Sequence, residues 1–369
     1  MENNSKVSAS SFVKEHWILV NWGPEQLLRL PKRMEYEMNK IFLAILVFIF
    51  FSPPQAVCGW LHTEGRSIKD SAGNVVMLRG VNMYIRLQNE RTKYNAAKAM
   101  GANVVRLMLW KQDIEGNPGT LYPGEDQRGL TAIDDAVQWA HDAGLMVILE
   151  QQIWSFQVEP APVEFLTDAA LQESWLSMWC TLIDRYKNND TVIGIDLMNE
   201  PWNIKNRPPN EVAVPLWESI AKNAVTKLRP HNPNLIFFIE GWGMLVQPMW
   251  SDFEFLQQPN TVISDHVYGY KPYQFLSDRY SIYTKQNIPV WLGEIGFLPN
   301  EVLFMIHQLN NFDQLGLHYT IYTFGASPWD SPYYIVSASY DLTSIGQIYS
   351  DHIKSLVALS PPKRLRIAY

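Results

Sequence analysis

Short apolar runs rich in β-branched residues recur between residues 75 and 324, each bounded by polar or turn-forming positions. They are Val75–Leu78, Asn103–Leu109, Gly144–Leu149, Thr191–Met198, Leu235–Ile239, Val262–Tyr268, Pro289–Leu292 and Tyr319–Phe324. Runs of this length predict buried strands. The segments between them carry a helical period instead. In Leu171–Lys187, the residues Trp175, Met178, Trp179, Leu182, Ile183 and Tyr186 fall on one stripe. Thr131 and Asp134 have capping-box spacing, Ile133, Ala136, Val137 and Ala140 form an apolar face, and Gly144 stands where a helix stops. Glu301–Phe312 repeats the pattern with Val302, Met305, Ile306 and Leu309.

Near-continuous apolar strands alternating with amphipathic helices predict a parallel sheet covered by helices. Eight such units without a Gly-rich phosphate fingerprint favour an α/β fold of the closed kind, a (β/α)8 TIM barrel. The turn Asp70–Asn74 lies between Arg66–Ile68 and Val75–Met77, which predicts a small N-terminal β-hairpin covering the barrel bottom. The barrel domain is expected over residues 59–360, followed by a short tail, 361–369.

The residues before it read differently. Met38–Lys40 is a short basic start, Ile41–Phe51 an unbroken apolar run, and Ser52–Cys58 a breaker-rich end with small residues. This is the pattern of a secretory signal peptide over 38–58, and the run is too short for a helix to span a bilayer of about 30 Å. Met38 or Met34 is then the expected natural start, with 1–37 an upstream extension outside the fold, and the protein is expected to be secreted. A cytosolic N-terminal segment with a buried apolar helix is the other reading.

Composition changes the picture only modestly. A net charge of −7, with no basic block beyond Lys363–Arg366, argues against nucleic acid as a partner. The 14 Trp and 17 Tyr suit a carbohydrate cleft, where aromatic faces stack on sugar C–H faces, and suit an aromatic core equally. His141, His231 and His266 lack ligand spacing, and Cys180 reads as a small core residue, so no metal or other cofactor is expected.

Two glutamates carry the candidate chemistry. Asn199-Glu200-Pro201 closes the fourth apolar run and Glu294 the seventh. In a barrel of this kind both strand ends reach the same mouth, and cleavage of a glycosidic bond uses two carboxyl groups, one to protonate the leaving oxygen and one to stabilise or attack the anomeric carbon. Strand alternation places Asp196 and Met198 on the face of Glu200, and Val290 and Leu292 on that of Glu294. Arg106 lies in the second run, and His266 and Tyr268 share a face of the sixth.

With Leu78-Arg79-Gly80-Val81-Asn82, Arg106, Asn199-Glu200-Pro201-Trp202, His266-Val267-Tyr268 and Gly293-Glu294-Ile295-Gly296 in this order, residues 60–355 resemble glycoside hydrolase family five, the cellulase and mannanase family. The resemblance implies Glu200 as acid/base and Glu294 as nucleophile of a retaining double displacement. It implies that Arg106 and Tyr268 support Glu294, that His266 assists near Glu200, and that Asn199 bonds the sugar 2-hydroxyl. A desolvated Glu200 facing the Glu294 charge is expected to hold its proton.

Two departures fall where substrate preference is set. Strand three of the family often ends in histidine, but here it reads Glu150-Gln151-Gln152, so Gln152 takes the place of a sugar-contacting imidazole and Glu150 adds an acid. After strand eight Phe324 fits the aromatic platform by position and Trp329 by type, with Trp329 preferred. The resemblance implies an endo-acting β-1,4-glucanase acting on a β-linked polysaccharide or oligosaccharide. A β-mannanase or other β-glycanase of the same family, and a non-catalytic carbohydrate-binding barrel, are the alternatives.

Overall fold

The computed structural model describes residues 59–359 except 86–89, 112–113, 115–128, 153–162, 205, 244–248 and 326–332. The expected signal segment, the upstream extension, the tail and Trp329 therefore lie outside the described residues. Among those described, no helix is long and apolar enough to cross a membrane.

A two-stranded antiparallel hairpin, β1 (His62–Glu64) and β2 (Ser67–Lys69), precedes eight parallel strands. These are β3 (Arg79–Tyr84), β4 (Val104–Leu109), β5 (Met146–Gln151), β6 (Val192–Asp196), β7 (Ile236–Glu240), β8 (Thr261–Tyr268), β9 (Val290–Gly296) and β10 (His318–Ile321). β10 pairs with both β9 and β3 and closes the barrel. The connecting helices are α1 (Arg91–Ala99), α2 (Leu130–Ala143), α3 (Ala169–Tyr186), α4 (Asn210–Leu228), the single turn α5 (Phe253–Leu256), α6 (Tyr273–Thr284), α7 (Val302–Gln314) and α8 (Ser344–Leu359). The TIM-barrel expectation and its small N-terminal hairpin are thus what the chain forms.

Local rules explain most boundaries. Asp168 caps α3 by accepting from the amides of Ala170 and Leu171, and the stripe from Trp175 to Tyr186 is buried against the barrel. Gly144 ends α2 in the left-handed conformation, φ 69°, which costs glycine nothing. Three details differ from the sequence expectation. α2 begins at Leu130 behind Gly129 without a side-chain cap, so the Thr131/Asp134 box is not used. The first barrel strand is Arg79–Tyr84 rather than Val75–Leu78, because Arg79 is buried by pairing with Asp313 and lying 4.1 Å from the Tyr319 ring centre. The hairpin pairs Ser67–Lys69 with His62–Glu64; Val75 adds only an isolated bridge to Lys69.

Two apolar layers result. Val81, Val105, Val147, Ile195 and their equivalents pack outward against the helices. Inside, Leu78, Val104, Met146, Ile148, Ile193, Ile236, Phe238, Val262 and Trp291 fill the barrel, and Leu61 and Ile68 of the hairpin join them from below. Thr63 and Asn260 exchange hydrogen bonds that fasten the hairpin beside the start of β8. The lower half of the barrel is a solid apolar plug, so polar chemistry is confined to the opposite end.

Candidate active site

Arg106, third residue of β4, stands on that plug with its guanidinium 5.9 Å from the Trp291 ring centre. It is fully buried, and each of its nitrogens finds an acceptor. Nε donates to Asp196, Nη1 to Asn82 and to Glu294 Oε1, and Nη2 to Asn199 Oδ1, all at 2.9–3.0 Å. A planar fork of donors suits this better than a lysine point charge. Both oxygens of Glu294 are thereby held, Oε1 by Arg106 and Oε2 by the Tyr268 hydroxyl. Burial, followed by the charge of Glu294, pushes the Tyr268 phenol well above its usual range, so it remains a donor.

Glu294 reaches this position through a backbone irregularity. The β8–β9 register jumps from Asp265↔Leu292 to His266↔Glu294, leaving Gly293 as an extra residue. Val290 and Leu292 pack in the outer layer, whereas Trp291 and Glu294 meet the interior, so the expected shared face of Val290, Leu292 and Glu294 is not formed. A Cβ on Gly293 would stand 3.1 Å from Ser264 Oγ, 3.2 Å from His266 Nε2 and 3.4 Å from Arg106 Nε. The bulge resets strand parity, and glycine is what fits it.

Glu200 also departs from strand alternation. β6 ends at Asp196, which does point inward to Arg106, but Met198 joins the outer layer. Glu200 itself adopts a left-handed backbone, φ 47°, uncommon for a residue with a Cβ. Its carbonyl accepts from the Asn203 amide, and its own amide donates to Glu240 Oε2 at 2.6 Å. The side chain pairs with His266 Nδ1 through Oε1 at 3.0 Å and accepts from Asn203 Nδ2 through Oε2.

Seven buried or nearly buried ionisable groups therefore share the mouth: Arg106 and His266 against Glu150, Asp196, Glu200, Glu240 and Glu294. Two cations can balance two of five carboxylates. Burial drives Glu150 and Glu240 well above the ordinary carboxylate range and raises Asp196 as well. The same three acids each have one buried oxygen with no hydrogen-bond donor. Burial alone would lower the proton affinity of His266, but the charges of Glu240, Glu294 and Glu200 raise its pKa to about 10. Burial also raises Glu200, yet the hydrogen bond and charge of His266 prevail and hold it below its usual value. The expectation that desolvation would keep the proton on Glu200 is thus reversed, because the His266 imidazole lies 3.0 Å from Oε1 and its hydrogen bond and charge outweigh burial.

The structure brings together Arg106, Asn199, Glu200, His266, Tyr268 and Glu294. Gln152, nearly buried, lies with Nε2 3.5 Å from Glu150 Oε2. Phe324 does not form an open platform: it is buried and stacks on Tyr340. Tyr322, half-buried at the end of β10, instead stands edge-on to Tyr268 and bonds the hydroxyl of Tyr84, which in turn stacks on Trp110. Sequence reasoning met Asn82 only as the end of the Leu78–Asn82 motif, without a role, and passed over Glu240. Glu240 could have been found by the rule that found Glu200 and Glu294, since it is the acid that ends the apolar run Leu235–Ile239.

Atoms of Glu200, His266 and Glu294 lie within 4.8 Å of one another, a spacing that a cation could bridge, but the contacts present among them and their neighbours are hydrogen bonds. What the arrangement offers chemically is a carboxylate clamped by a permanent cation, facing a second carboxyl that shares a proton with an imidazole.

The Cellulase (glycosyl hydrolase family 5) profile matches residues 69–327. The chain belongs to glycosyl hydrolase family 5. An endoglucanase of Paenibacillus polymyxa is 26% identical over 303 residues, covering 65% of this chain and 72% of that protein. Endoglucanase B of Acetivibrio thermocellus is 27% identical over 250 residues, covering 57% of this chain and 43% of that protein. The crystal structure of a β-mannanase from Streptomyces thermolilacinus superposes with a TM-score of 0.63 at 20% identity, covering 80% of this chain and 97% of the mannanase, a likeness of fold. Family membership makes this a glycoside hydrolase built on a TIM barrel.

Proposed function

We propose that the protein is a secreted, retaining, endo-acting hydrolase of β-1,4-glucan, with Glu294 as nucleophile and Glu200 as acid/base. The observation that carries this is the clamp on Glu294: Arg106 and Tyr268 occupy one oxygen each, while an atom of Glu200 lies within 4.8 Å of it. Retaining enzymes set their carboxyl groups about 5–5.5 Å apart, whereas inverting ones leave about 6.5–9.5 Å for a water. An oxygen-to-oxygen approach within 4.8 Å fits the narrower spacing and favours attack by Glu294 itself.

In the first step Glu294 attacks the anomeric carbon as Glu200 protonates the departing oxygen. In the second, Glu200 takes a proton from the water that releases the sugar from Glu294. For Glu200 to act as acid, the proton shared with His266 across 3.0 Å must lie on Oε1 at that moment. Arg106 fixes Asn199 through Oδ1, which leaves the Asn199 amide nitrogen to meet the 2-hydroxyl of the reacting sugar. Gln152 stands as an amide donor where an imidazole is common, and Trp329 is the proposed platform.

Glucan is favoured because the relatives matched by sequence carry the name endoglucanase. A β-mannanase is the second reading, because the catalytic residues are shared within the family and Gln152 departs from its pattern where substrate preference is set. Purified protein assayed on soluble β-glucan, xylan and mannan decides between them, with reducing ends released from β-glucan first as the expected result. Glu294→Gln should lose hydrolysis and still bind oligosaccharide. Unchanged hydrolysis would remove Glu294 from the mechanism, and product that first appears with inverted anomeric configuration would remove the double displacement.

A further inference from the structure

Glu240 has no part in the reaction described above, yet it is the acid most intimately joined to Glu200. It ends β7 with its side chain fully enclosed, and its main-chain carbonyl is fastened by the Trp217 indole N–H at 2.8 Å. Oε2 accepts the Glu200 amide at 2.6 Å. Oε1 has no hydrogen-bond donor and lies 3.6 Å from His266 Nδ1, the nitrogen that also faces Glu200. One carboxyl group thus touches both the backbone that carries Glu200 and the imidazole that shares its proton.

We propose that Glu240 is a positioning residue for the glycosidase reaction, fixing the left-handed backbone of Glu200 with one oxygen and governing the protonation of His266 with the other. The inference rests on the assignment of Glu200 as acid/base and deepens it. A left-handed conformation at a residue with a Cβ is strained and persists only where the surroundings hold it. The surroundings here are the Asn203 amide on the peptide that follows the Glu200 Cα and the Glu240 carboxyl on the peptide that precedes it. Without the second, Glu200 is free to turn away from Glu294.

The charge on His266 has several sources, and Glu240 is placed to be decisive among them. Glu200 faces the imidazole at 3.0 Å, Glu240 and Glu294 at 3.6 Å, and Asp196, Glu150 and Arg106 complete the surroundings from β6, β5 and β4. Glu294 is already engaged by Arg106 and Tyr268. Glu240 has only the neutral amide of Glu200 on its other oxygen, so its ionisation is directed at His266. Burial drives the Glu240 carboxyl well above its usual range, and its charge heads those that raise His266 against the effect of burial. The two titrations are therefore linked: as pH rises, ionisation of Glu240 is what keeps the imidazole protonated and the acid/base supplied.

Glu240→Gln keeps an acceptor for the Glu200 amide and removes the charge, whereas Glu240→Ala removes both. In the full chain, the His266 resonance is followed by NMR from pH 4 to 10, assigned by its loss in His266→Asn, alongside pH profiles of kcat and kcat/KM. In Glu240→Gln the imidazole is expected to titrate at least about one pH unit lower, as the loss of a charge at this distance requires. The alkaline limb of kcat/KM should move the same way. Glu240→Ala should lower kcat by at least about tenfold with KM changed little, a loss that Glu240→Gln does not share at its own pH optimum. Coincident His266 titrations in wild type and Glu240→Gln would overturn the proposal, and would do so even if Glu240→Ala fails to fold. Glu200→Gln, run in parallel, separates the two assignments: full hydrolysis by that variant would sink the role of Glu200, whereas a normal His266 titration in Glu240→Gln sinks the role of Glu240 alone.

Discussion

Arg106 Nη1 lies 2.9 Å from Glu294 Oε1, although the two residues are 188 positions apart in the chain. The same guanidinium, carried on β4, reaches Asn82, Asp196 and Asn199, so β3, β6 and β9 are registered against one side chain. Arg106→Lys keeps the charge and loses the fork, leaving buried acceptors dry at about 1–3 kcal/mol each. We expect kcat/KM to fall at least about 100-fold, with a lower melting temperature in the same variant. Near-wild-type kinetics would mean that the fork geometry is unimportant.

Tyr268→Phe tests the other half of the clamp. The ring packs edge-on to Tyr322 and Tyr333, contacts that phenylalanine retains. Only the hydroxyl on Glu294 Oε2 is lost. Removing one such donor from a preorganised site typically costs about 10²–10³ in kcat, and Arg106, which stays on the other oxygen, places the expectation at about tenfold to 100-fold. Steady-state kinetics with the melting temperature as control checks it.

Gly293→Ala should harm catalysis more than stability. The added methyl group meets Ser264, His266 and Arg106 at 3.1–3.4 Å, so the groups around the two glutamates must give way. Overpacking of this kind costs about 1–3 kcal/mol. Displacement of His266 and Arg106 by a few tenths of an ångström should lower kcat/KM by more than that stability loss conveys. A variant with unchanged kinetics would show that the bulge tolerates a side chain.

Glu150 gives a pH-dependent stability. Its folded pKa lies well above its ordinary value of 4.5 because of burial, so the folded chain keeps a proton that the unfolded chain releases. The contribution is fully present below about pH 4.5 and is lost as pH rises above it. Glu150→Gln, neutral at every pH, should therefore melt higher than wild type at pH 8 and show no advantage at pH 4. Thermal unfolding at the two pH values checks the sign, and a larger benefit at pH 4 would contradict it.

Secretion is testable independently of the barrel. Protein recovered from the medium of an expressing cell should begin close to residue 59 on N-terminal sequencing. Secreted material that starts at Met1 would remove the signal-peptide reading.

Side-chain periodicity made the barrel legible, because a stripe such as Trp175 to Tyr186 has one way to be buried. The candidate glutamates were legible for a similar reason, as acids that close two of the apolar runs. Backbone irregularity was not. The bulge at Gly293 and the left-handed turn at Glu200 break strand alternation, and neither changes the composition of the segment that contains it. Charge in unexpected places misled as well. Arg79 obscured the first barrel strand because its partner Asp313 lies 234 residues further on. Glu200 was expected to be governed by burial, and the imidazole that overrides burial comes from another strand.

The apolar plug beneath Arg106 has a further consequence. Leu61 and Ile68 seal the barrel where the strands begin, so an apolar layer of low dielectric response lies under the guanidinium. Solvent can answer a change of charge at Glu294 or His266 from one direction alone. The field of the buried cation is therefore directed toward the opening, and a sugar that closes that opening becomes the remaining wall of the dielectric in which its own bond is broken.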